Sequence, residues 1–160
     1  MSVVVWDGKT LATDTQCNMG NAKFNAPKAW YNSVGGEACI LSGVGTLKNI
    51  HRHKQWLLHT YDTHGNDDSF PYADVENHYY QFILVNKNGL LRYEGTPYPI
   101  DHGVNACAFG EAADFAYGAL AMGATAVEAV QVAIKYSNQC GGNVESFSLS
   151  RGENNEEEKN

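Results

Sequence analysis

The second residue of the chain is a serine, and it directly precedes an apolar, strand-forming stretch at residues 3–6. Aminopeptidases generally remove an initial Met that precedes a small residue, and removal here would give Ser2 both a hydroxyl and a free α-amine. Because an α-amine has a pKa of about 7.7–8.0, it can accept the proton of its own hydroxyl at neutral pH. Ser2 is therefore a candidate N-terminal nucleophile, although serine is also an ordinary second residue with no chemical role.

Such a nucleophile needs charged groups and backbone donors around it, and three further positions are candidates. Asp14 lies at the far end of the strand predicted to return beside Ser2, where a buried carboxylate needs a partner. Lys28, in the apolar sequence PKAW, is the candidate partner and would also lower the pKa of a nearby hydroxyl or amine. The loop Gly43-Val44-Gly45 is the candidate oxyanion hole. Taken alone, Asp14 and Lys28 would each be interpreted as an ordinary surface charge.

Other polar residues have simpler interpretations. The histidines of the predicted first helix do not share one face, which favours a solvated helix over a metal site: they are His51, His53 and His59. Four aspartates lack calcium-loop spacing and indicate a solvated loop: they are Asp62, Asp67, Asp68 and Asp74. Gly141-Gly142 lacks the strand-then-helix setting of a phosphate loop, and Cys140 has no adjacent histidine. We therefore expect neither a metal nor a cofactor.

Composition and charge narrow the class of protein. The chain has 160 residues and a formal charge of −7, which predicts a single domain over residues 1–150 and a disordered acidic tail over 151–160. Without a basic stripe, we expect no nucleic-acid partner. No apolar run is long enough to cross a membrane, and the N-terminus does not have the layout of a signal peptide. Scattered cysteines without a CxxC motif then indicate reduced thiols in the cytoplasm.

The periodicity of apolar residues predicts an α+β arrangement. Strands are predicted at residues 3–6, 9–15, 37–42, 79–86, 90–94, 104–109 and 144–149, with an extended, turn-containing stretch at 22–32. Helices are predicted from Thr46 to about Tyr61, from Glu111 to Met122, and from Thr125, where Glu128 completes a capping box. Antiparallel runs of strands separated from grouped helices indicate layers of sheet and helix, not an alternating parallel sheet.

The first two strands are expected to form a hairpin around Asp7-Gly8, since this dipeptide favours a tight two-residue turn. Counting outward from that turn places Val5 opposite Thr10 and Ser2 opposite Thr13. Ser2 would then stop short of the level of Asp14 unless a bulge compensates.

An ordered set of motifs resembles one enzyme family over nearly the whole chain. The motifs are DGKTLATD at 7–14, PKAW around Lys28, SGVG at 42–45, AFGEAADFAYGAL at 108–120, the later VEAVQVAI, and CGGNVESFSL before the tail. Together they resemble the proteasome β-subunit and HslV-type N-terminal-nucleophile hydrolases, particularly short phage-encoded members.

This resemblance implies a four-layer αββα sandwich, amide-bond hydrolysis by an N-terminal Thr, and usually a ring-shaped homo-oligomer. On the matching positions, Ser2 takes the nucleophile's place and Gly43 that of the oxyanion-hole glycine. Asp14 and Lys28 match the family's active-site Asp and Lys. A peptide or protein substrate is implied as well. HslV-type peptidases also cooperate with an ATPase unfoldase ring, for which no docking motif is identified here.

Two positions depart from the family in addition to the hairpin length. Glu111 stands where the family has a Ser that supports the terminal amine. The Asp expected just before the final glycines is absent, with Ser137 and Asn138 in its vicinity. These departures support an alternative interpretation, a catalytically inactive proteasome-fold protein that acts through assembly or binding. A third interpretation is an α+β ligand-binding domain unrelated to the family.

Overall fold

The computed structural model describes residues 2–60, 68–73 and 79–149. Its strands are β1 (Val4–Trp6), β2 (Leu11–Asp14), β3 (Gln16–Met19), β4 (Ala22–Asn25), β5 (Ala29–Val34), β6 (Glu37–Gly45), β7 (Tyr80–Asn86), β8 (Gly89–Tyr93), β9 (Ile100–Gly103), β10 (Cys107–Phe109) and β11 (Val144–Phe147). Its helices are α1 (Leu47–Thr60), α2 (Ala113–Ala121) and α3 (Ala126–Tyr136). Among the described residues, no helix is long and apolar enough to cross a membrane.

Most predicted elements are confirmed within a few residues, including all three helices and the capping box at the start of α3. Two strands were not predicted. β3 follows β2 after a single residue, and β9 comes directly after Pro97 and Pro99, which were interpreted as breaking the strand pattern. The predicted acidic tail and most of the predicted polar loop lie outside the described residues.

Two antiparallel sheets form the centre of the fold. One has the strand order β10-β1-β2-β11 and the other β5-β6-β7-β8-β9, while β3 and β4 form a separate hairpin. Apolar residues of both sheets pack against each other between them. Helices α2 and α3 pack on the outer face of the first sheet, and α1 packs on the outer face of the second. The predicted four-layer αββα sandwich is therefore confirmed.

Strand β1 shows how the sequence builds these layers. Side chains alternate between the two faces of a strand, so Val3 and Val5 pack against the helices while Val4 and Trp6 point into the core between the sheets. Most helix residues that meet this sheet are alanines, whose small side chains let α2 and α3 lie close to the strands. Strand β1 is thus packed on both faces.

The connection between β1 and β2 is longer than predicted. Val4 pairs with Thr13 and Trp6 with Leu11, so residues 7–10 form a four-residue loop. The predicted two-residue turn, which placed Ser2 opposite Thr13, is wrong. A shift of two residues keeps every side chain on its expected face but moves β1 further along β2. Ser2 consequently reaches beyond the level of Asp14, and the hairpin is not too short.

Asp7 explains why the loop is wider than the Asp-Gly dipeptide indicated. Its Oδ1 accepts hydrogen bonds from the backbone N–H groups of Lys9 (2.9 Å) and Thr10 (2.7 Å). Its Oδ2 accepts another from the backbone N–H of Ala126 (2.9 Å), the first residue of α3. A side chain that caps its own loop and a distant helix favours this geometry over the tight turn.

His53 is buried in α1, so the predicted solvated helix is wrong for this residue. Its ring stacks on Phe82 with centroids 4.4 Å apart, and Nδ1 lies 3.1 Å from the Tyr80 hydroxyl. Four other aromatic rings surround it: Trp56, Phe70, Tyr80 and Tyr93. Nε2 is buried without a hydrogen-bond partner among the described residues. Burial disfavours the charged imidazolium and lowers the pKa of His53 to about 3.

We expect this histidine to make the fold sensitive to acid. Between the folded pKa of about 3 and the ordinary value of 6.5, only the unfolded state binds the proton, so stability falls as the pH falls through that window. From pH 7.5 to 5.5 the free energy of unfolding should decrease by about 1.4 kcal/mol through His53 alone. Urea denaturation of wild type and His53→Phe at both pH values measures this contribution.

The matched control is His59→Phe, on the exposed side of the same helix. It should lose as much stability between the two pH values as wild type, whereas His53→Phe should lose less. An equal loss in His53→Phe would show that burial of this imidazole does not cause the acid sensitivity.

Candidate active site

The Asp14 carboxylate organises the candidate site. It stands at the end of β2 and is fully buried. Oδ1 accepts hydrogen bonds from the backbone N–H of Val3 (3.1 Å) and from Lys28 Nζ (2.8 Å). Oδ2 accepts one from the backbone N–H of Gly141 (3.1 Å). Three donors, one of them a cation, compensate the cost of burying this charge.

Lys28 connects Asp14 to Ser2. The lysine immediately precedes β5 and is only 8% exposed. Its Nζ donates to Asp14 and also to Ser2 Oγ, at 3.1 Å. Ser42 of the neighbouring strand β6 fixes the lysine backbone by donating its hydroxyl to the Lys28 carbonyl at 2.7 Å. The structure therefore brings together Ser2, Asp14 and Lys28, three of the four predicted site residues.

The backbone of Ser2 is held by the segment that joins β10 to α2. The Ser2 carbonyl accepts a hydrogen bond from the N–H of Ala112 at 3.4 Å. Gly110 has a φ of +103°, and a Cβ at this position would collide with the Ser2 carbonyl oxygen. Glycine is therefore required at position 110 on two grounds, its conformation and the close approach of Ser2.

A cavity of about 200 Å³ opens beside Ser2. Its lining residues are Ser2, Val44, Gly45, Tyr79, Gly110 and Glu111. Lys28 and Asp14 are both buried, and neither lines this cavity. An electrophile bound in the cavity would therefore meet Ser2 and not the lysine.

Gly43, the fourth predicted site residue, lies in β6 two residues before Gly45 and does not line this cavity. A Cβ at position 43 would come within 2.9 Å of the Ile50 side chain, so packing against α1 explains a glycine there. Residues 43–45 remain paired with β7 but extend beyond β5, whose last pair is Ala29 with Ser42. Gly43 and Gly45 thus belong to the β6 segment that borders the site.

Gly141-Gly142 also belongs to the site, which the sequence interpretation missed because it tested this pair only as a phosphate loop. The Gly141 carbonyl accepts backbone hydrogen bonds from Thr15 (3.3 Å) and Gln16 (3.1 Å), while its N–H holds Asp14. A Cβ on Gly142, where φ is +76°, would collide with Asn25. Two adjacent glycines in the last loop were the available signal that chain segments approach closely there.

Cys140 lies near the site but is not a candidate nucleophile. Burial raises the pKa of the Cys140 thiol to about 11, with the Asp14 carboxylate adding to the rise and Lys28 opposing it. Cys140 is therefore a neutral thiol at pH 7 and a poor nucleophile.

Ser137 and Asn138 stand near the position where the family has an Asp. Ser137 directly follows α3 and accepts a hydrogen bond from the Gln139 backbone N–H at 3.0 Å, while Asn138 is exposed. Neither residue borders the cavity beside Ser2.

His51 and His59 do not join the site. They border a separate surface cavity with Arg52, on the exposed side of α1. Within the part of the chain that the structure describes, no group of three His, Cys, Asp or Glu side chains could hold a metal ion. Of the four aspartates assigned to a solvated loop, only Asp68 lies among the described residues, and it is exposed.

Comparisons with known proteins concern the fold. No protein-family model matches the chain, and no curated protein sequence is similar to it. Among solved structures, BPH from Thiobacillus denitrificans in complex with epoxomicin is 17% identical with a TM-score of 0.65, over 93% of this chain and 98% of that one. HslV from Trypanosoma brucei is 16% identical with a TM-score of 0.57, over 92% and 98% of the two chains.

The Anbu complex from Pseudomonas aeruginosa, solved as a helical assembly, is 12% identical with a TM-score of 0.62, over 93% of this chain and 81% of that one. These identities are low, whereas the coverage of this chain is nearly complete. The sequence resemblance is therefore confirmed at the level of the fold: the chain has the fold of the proteasome β-subunit and HslV-type proteins.

Proposed function

We propose that the chain is an N-terminal-nucleophile hydrolase that cleaves amide bonds of peptides after Met1 is removed. The observation that carries this proposal is the 3.1 Å contact between Ser2 Oγ and Lys28 Nζ, with Lys28 itself held by buried Asp14. Lys28 donates to Oγ, so the hydroxyl proton is left to point elsewhere, and the α-amine of the same residue, once freed, could accept it.

The reaction would proceed in two stages. Ser2 Oγ attacks the carbonyl carbon of the amide while its proton passes to the α-amine. The resulting ammonium then protonates the departing nitrogen as the carbon–nitrogen bond breaks, which leaves an ester on Ser2. Water, deprotonated by the same amine, hydrolyses this ester and frees Ser2. Lys28 stabilises the negative charge that develops on Oγ.

Backbone N–H groups of the segment at residues 43–45 are proposed to stabilise the oxyanion, with Gly43 as the predicted donor. Gly45 lines the cavity beside Ser2 and has a φ of +98°, a conformation in which a side chain would also collide with the Tyr79 carbonyl. A stretch without side chains next to the nucleophile lets a substrate carbonyl approach the main chain closely.

The edge of β6 supports a peptide as the substrate. Because β5 ends at its pair between Ala29 and Ser42, residues 43–45 have no partner in β5 and border the site along that edge. An extended peptide can add to such an edge through main-chain hydrogen bonds. This mode of binding would orient the scissile amide across the strand end, next to Ser2.

The structural likeness to BPH in complex with epoxomicin suggests a probe. Epoxomicin is a peptide epoxyketone, whose two electrophilic carbons can react with a residue that carries both a hydroxyl and a free amine. We expect intact mass spectrometry to show loss of Met1, and epoxomicin to increase the mass of the Ser2 peptide covalently.

Ser2→Ala is the matched control, because it removes the hydroxyl and preserves the bond between Lys28 and Asp14. We expect it to retain the stability of wild type and to lose both labelling and peptide hydrolysis. Retained Met1 and an unlabelled Ser2 would reject the proposal and favour the catalytically inactive alternative. A function that survived in Ser2→Ala would also favour that alternative.

Lys28→Met tests the charged pair. Removing one partner leaves Asp14 as an uncompensated buried charge, so the free energy of unfolding should decrease by about 3–5 kcal/mol. Below the melting temperature of the variant, epoxomicin labelling should be at least about tenfold slower than in wild type. Lys23→Met, at an exposed position of β4, is the control and should change neither quantity. Normal labelling of folded Lys28→Met would remove Lys28 from the mechanism.

We also propose that the chain forms homo-oligomers. The helical assembly of the Anbu complex supports this, as do large apolar side chains on the surface, such as Met122 at 88% exposed and Met19 at 73%. Light scattering after size exclusion should give a multiple of the 17.5 kDa chain mass. A mass of one chain at every concentration tested would contradict self-association. The ring shape and an ATPase unfoldase stay predictions of the resemblance. A cytoplasmic location stays a prediction from the cysteine pattern.

A further inference from the structure

Among the described residues that line the cavity beside Ser2, Glu111 is the one carboxylate. It lies between Gly110, which lies against the Ser2 carbonyl, and Ala112, whose N–H donates to that carbonyl at 3.4 Å. The segment around Glu111 thus wraps the first peptide group after Ser2. Close packing explains Gly110 and Ala112. Glu111 is exposed, and its side chain forms no hydrogen bond or ion pair with the described residues.

The segment after β10 lies beside Ser2. Strand β1 pairs with β10 so that Val4 faces Phe109 and Trp6 faces Cys107. The pairing ends there, since Gly110, with a φ of +103°, turns the chain. The N–H of Ala112 then donates to the Ser2 carbonyl, which keeps residues 110–112 against Ser2. Because Ser2 and Glu111 line the same cavity, a freed α-amine of Ser2 and the Glu111 carboxylate would share that space.

We propose that the Glu111 carboxylate pairs with the α-ammonium of Ser2 once Met1 is removed, and so sets the pH at which this amine becomes a base. Glu111 would be a positioning residue, acting through the amine. This inference rests on the proposed function in that it assigns the partner of the proposed base. An anion beside an ammonium favours the charged form, so the pair would raise the pKa of the amine.

Other charges near the amine act in both directions. Lys28 lies beside Ser2 Oγ and opposes protonation, but Asp14 Oδ1 neutralises its charge at 2.8 Å. The N-terminus of α2 carries a partial positive charge that also opposes protonation, and Asp114 in its first turn offsets it. Burial raises the pKa of the Cys140 thiol to about 11, so this thiol is neutral at pH 7. Among the described residues that line the cavity, Glu111 alone carries a carboxylate.

The test measures the pKa of the Ser2 amine directly, without relying on catalysis. Full chains that begin at Ser2 are released from a cleavable leader as wild type, Glu111→Gln and Asp114→Asn. The acetylation rate of the N-terminal peptide, followed by mass spectrometry between pH 6 and 10, gives the pKa in each. Glu111→Gln keeps the shape of the side chain and removes the charge, while Asp114→Asn removes a nearby exposed carboxylate that does not line the cavity.

We expect the pKa of the amine to be at least about 0.5 unit lower in Glu111→Gln than in wild type, and nearly unchanged in Asp114→Asn. At 1 M salt the difference should shrink, because the pair faces solvent. An equal or higher pKa in folded Glu111→Gln, or an equal decrease in Asp114→Asn, would overturn the inference.

Epoxomicin labelling of the same samples separates this inference from the proposed function. Labelling at Ser2 together with an unmoved pKa would reject the role of Glu111 and leave the hydrolase proposal standing. A lowered pKa in Glu111→Gln without labelling of any variant would support the pairing and reject the hydrolase.

Discussion

The structure depends on one buried carboxylate. Asp14 is fully buried at the end of β2, and its hydrogen-bond donors come from Val3, Lys28 and Gly141, which lie far apart in the sequence. A buried charge with fewer donors would cost several kcal/mol, so these three segments must converge for the fold to be stable. The same convergence brings Lys28 to Ser2. Stability and the geometry of the candidate site therefore share one cause.

The αββα layers explain why this convergence occurs at the edge of the sandwich. Ser2 precedes β1, Asp14 ends β2, Lys28 precedes β5, and Gly141 lies between α3 and β11. Each of these residues stands where an element begins or ends. Its polar groups can therefore bond to one another instead of to a neighbouring strand, while the adjacent strand fixes its position. The sheets thus fix the positions of the site residues, while the ends of the strands and helices provide its polar groups.

The sequence predicted the parts of the fold that depend on local patterns, such as the three helices and the capping box of α3, because neighbouring residues determine them. It failed where distant contacts decide. The Asp7-Gly8 pair indicated a tight turn, but the Asp7 carboxylate also caps α3, 119 residues later, and stabilises a wider loop. Burial of His53 depends on rings from β7 and β8 as well as α1. For the candidate site, the residue types selected Ser2, Asp14 and Lys28, which the structure brings together, whereas the contribution of the Gly141 backbone N–H cannot be predicted from its residue type.

In the proposed hydrolase, the charges around Ser2 have opposite effects on its two functional groups. A cation beside the hydroxyl lowers the free energy of the negatively charged oxygen and favours attack. The proposed anion beside the amine keeps more of that amine protonated, which reduces the fraction available as a base but makes each free amine a stronger one.

A general base is most effective when its pKa lies near the working pH. An ordinary α-amine, at about 7.7–8.0, already lies there, so modest shifts in either direction suffice. Lys28 is shielded by Asp14, and Glu111 faces solvent, so both effects are attenuated. A buried ion pair and an exposed carboxylate can therefore both act on Ser2 while the pKa of its amine stays near neutral pH.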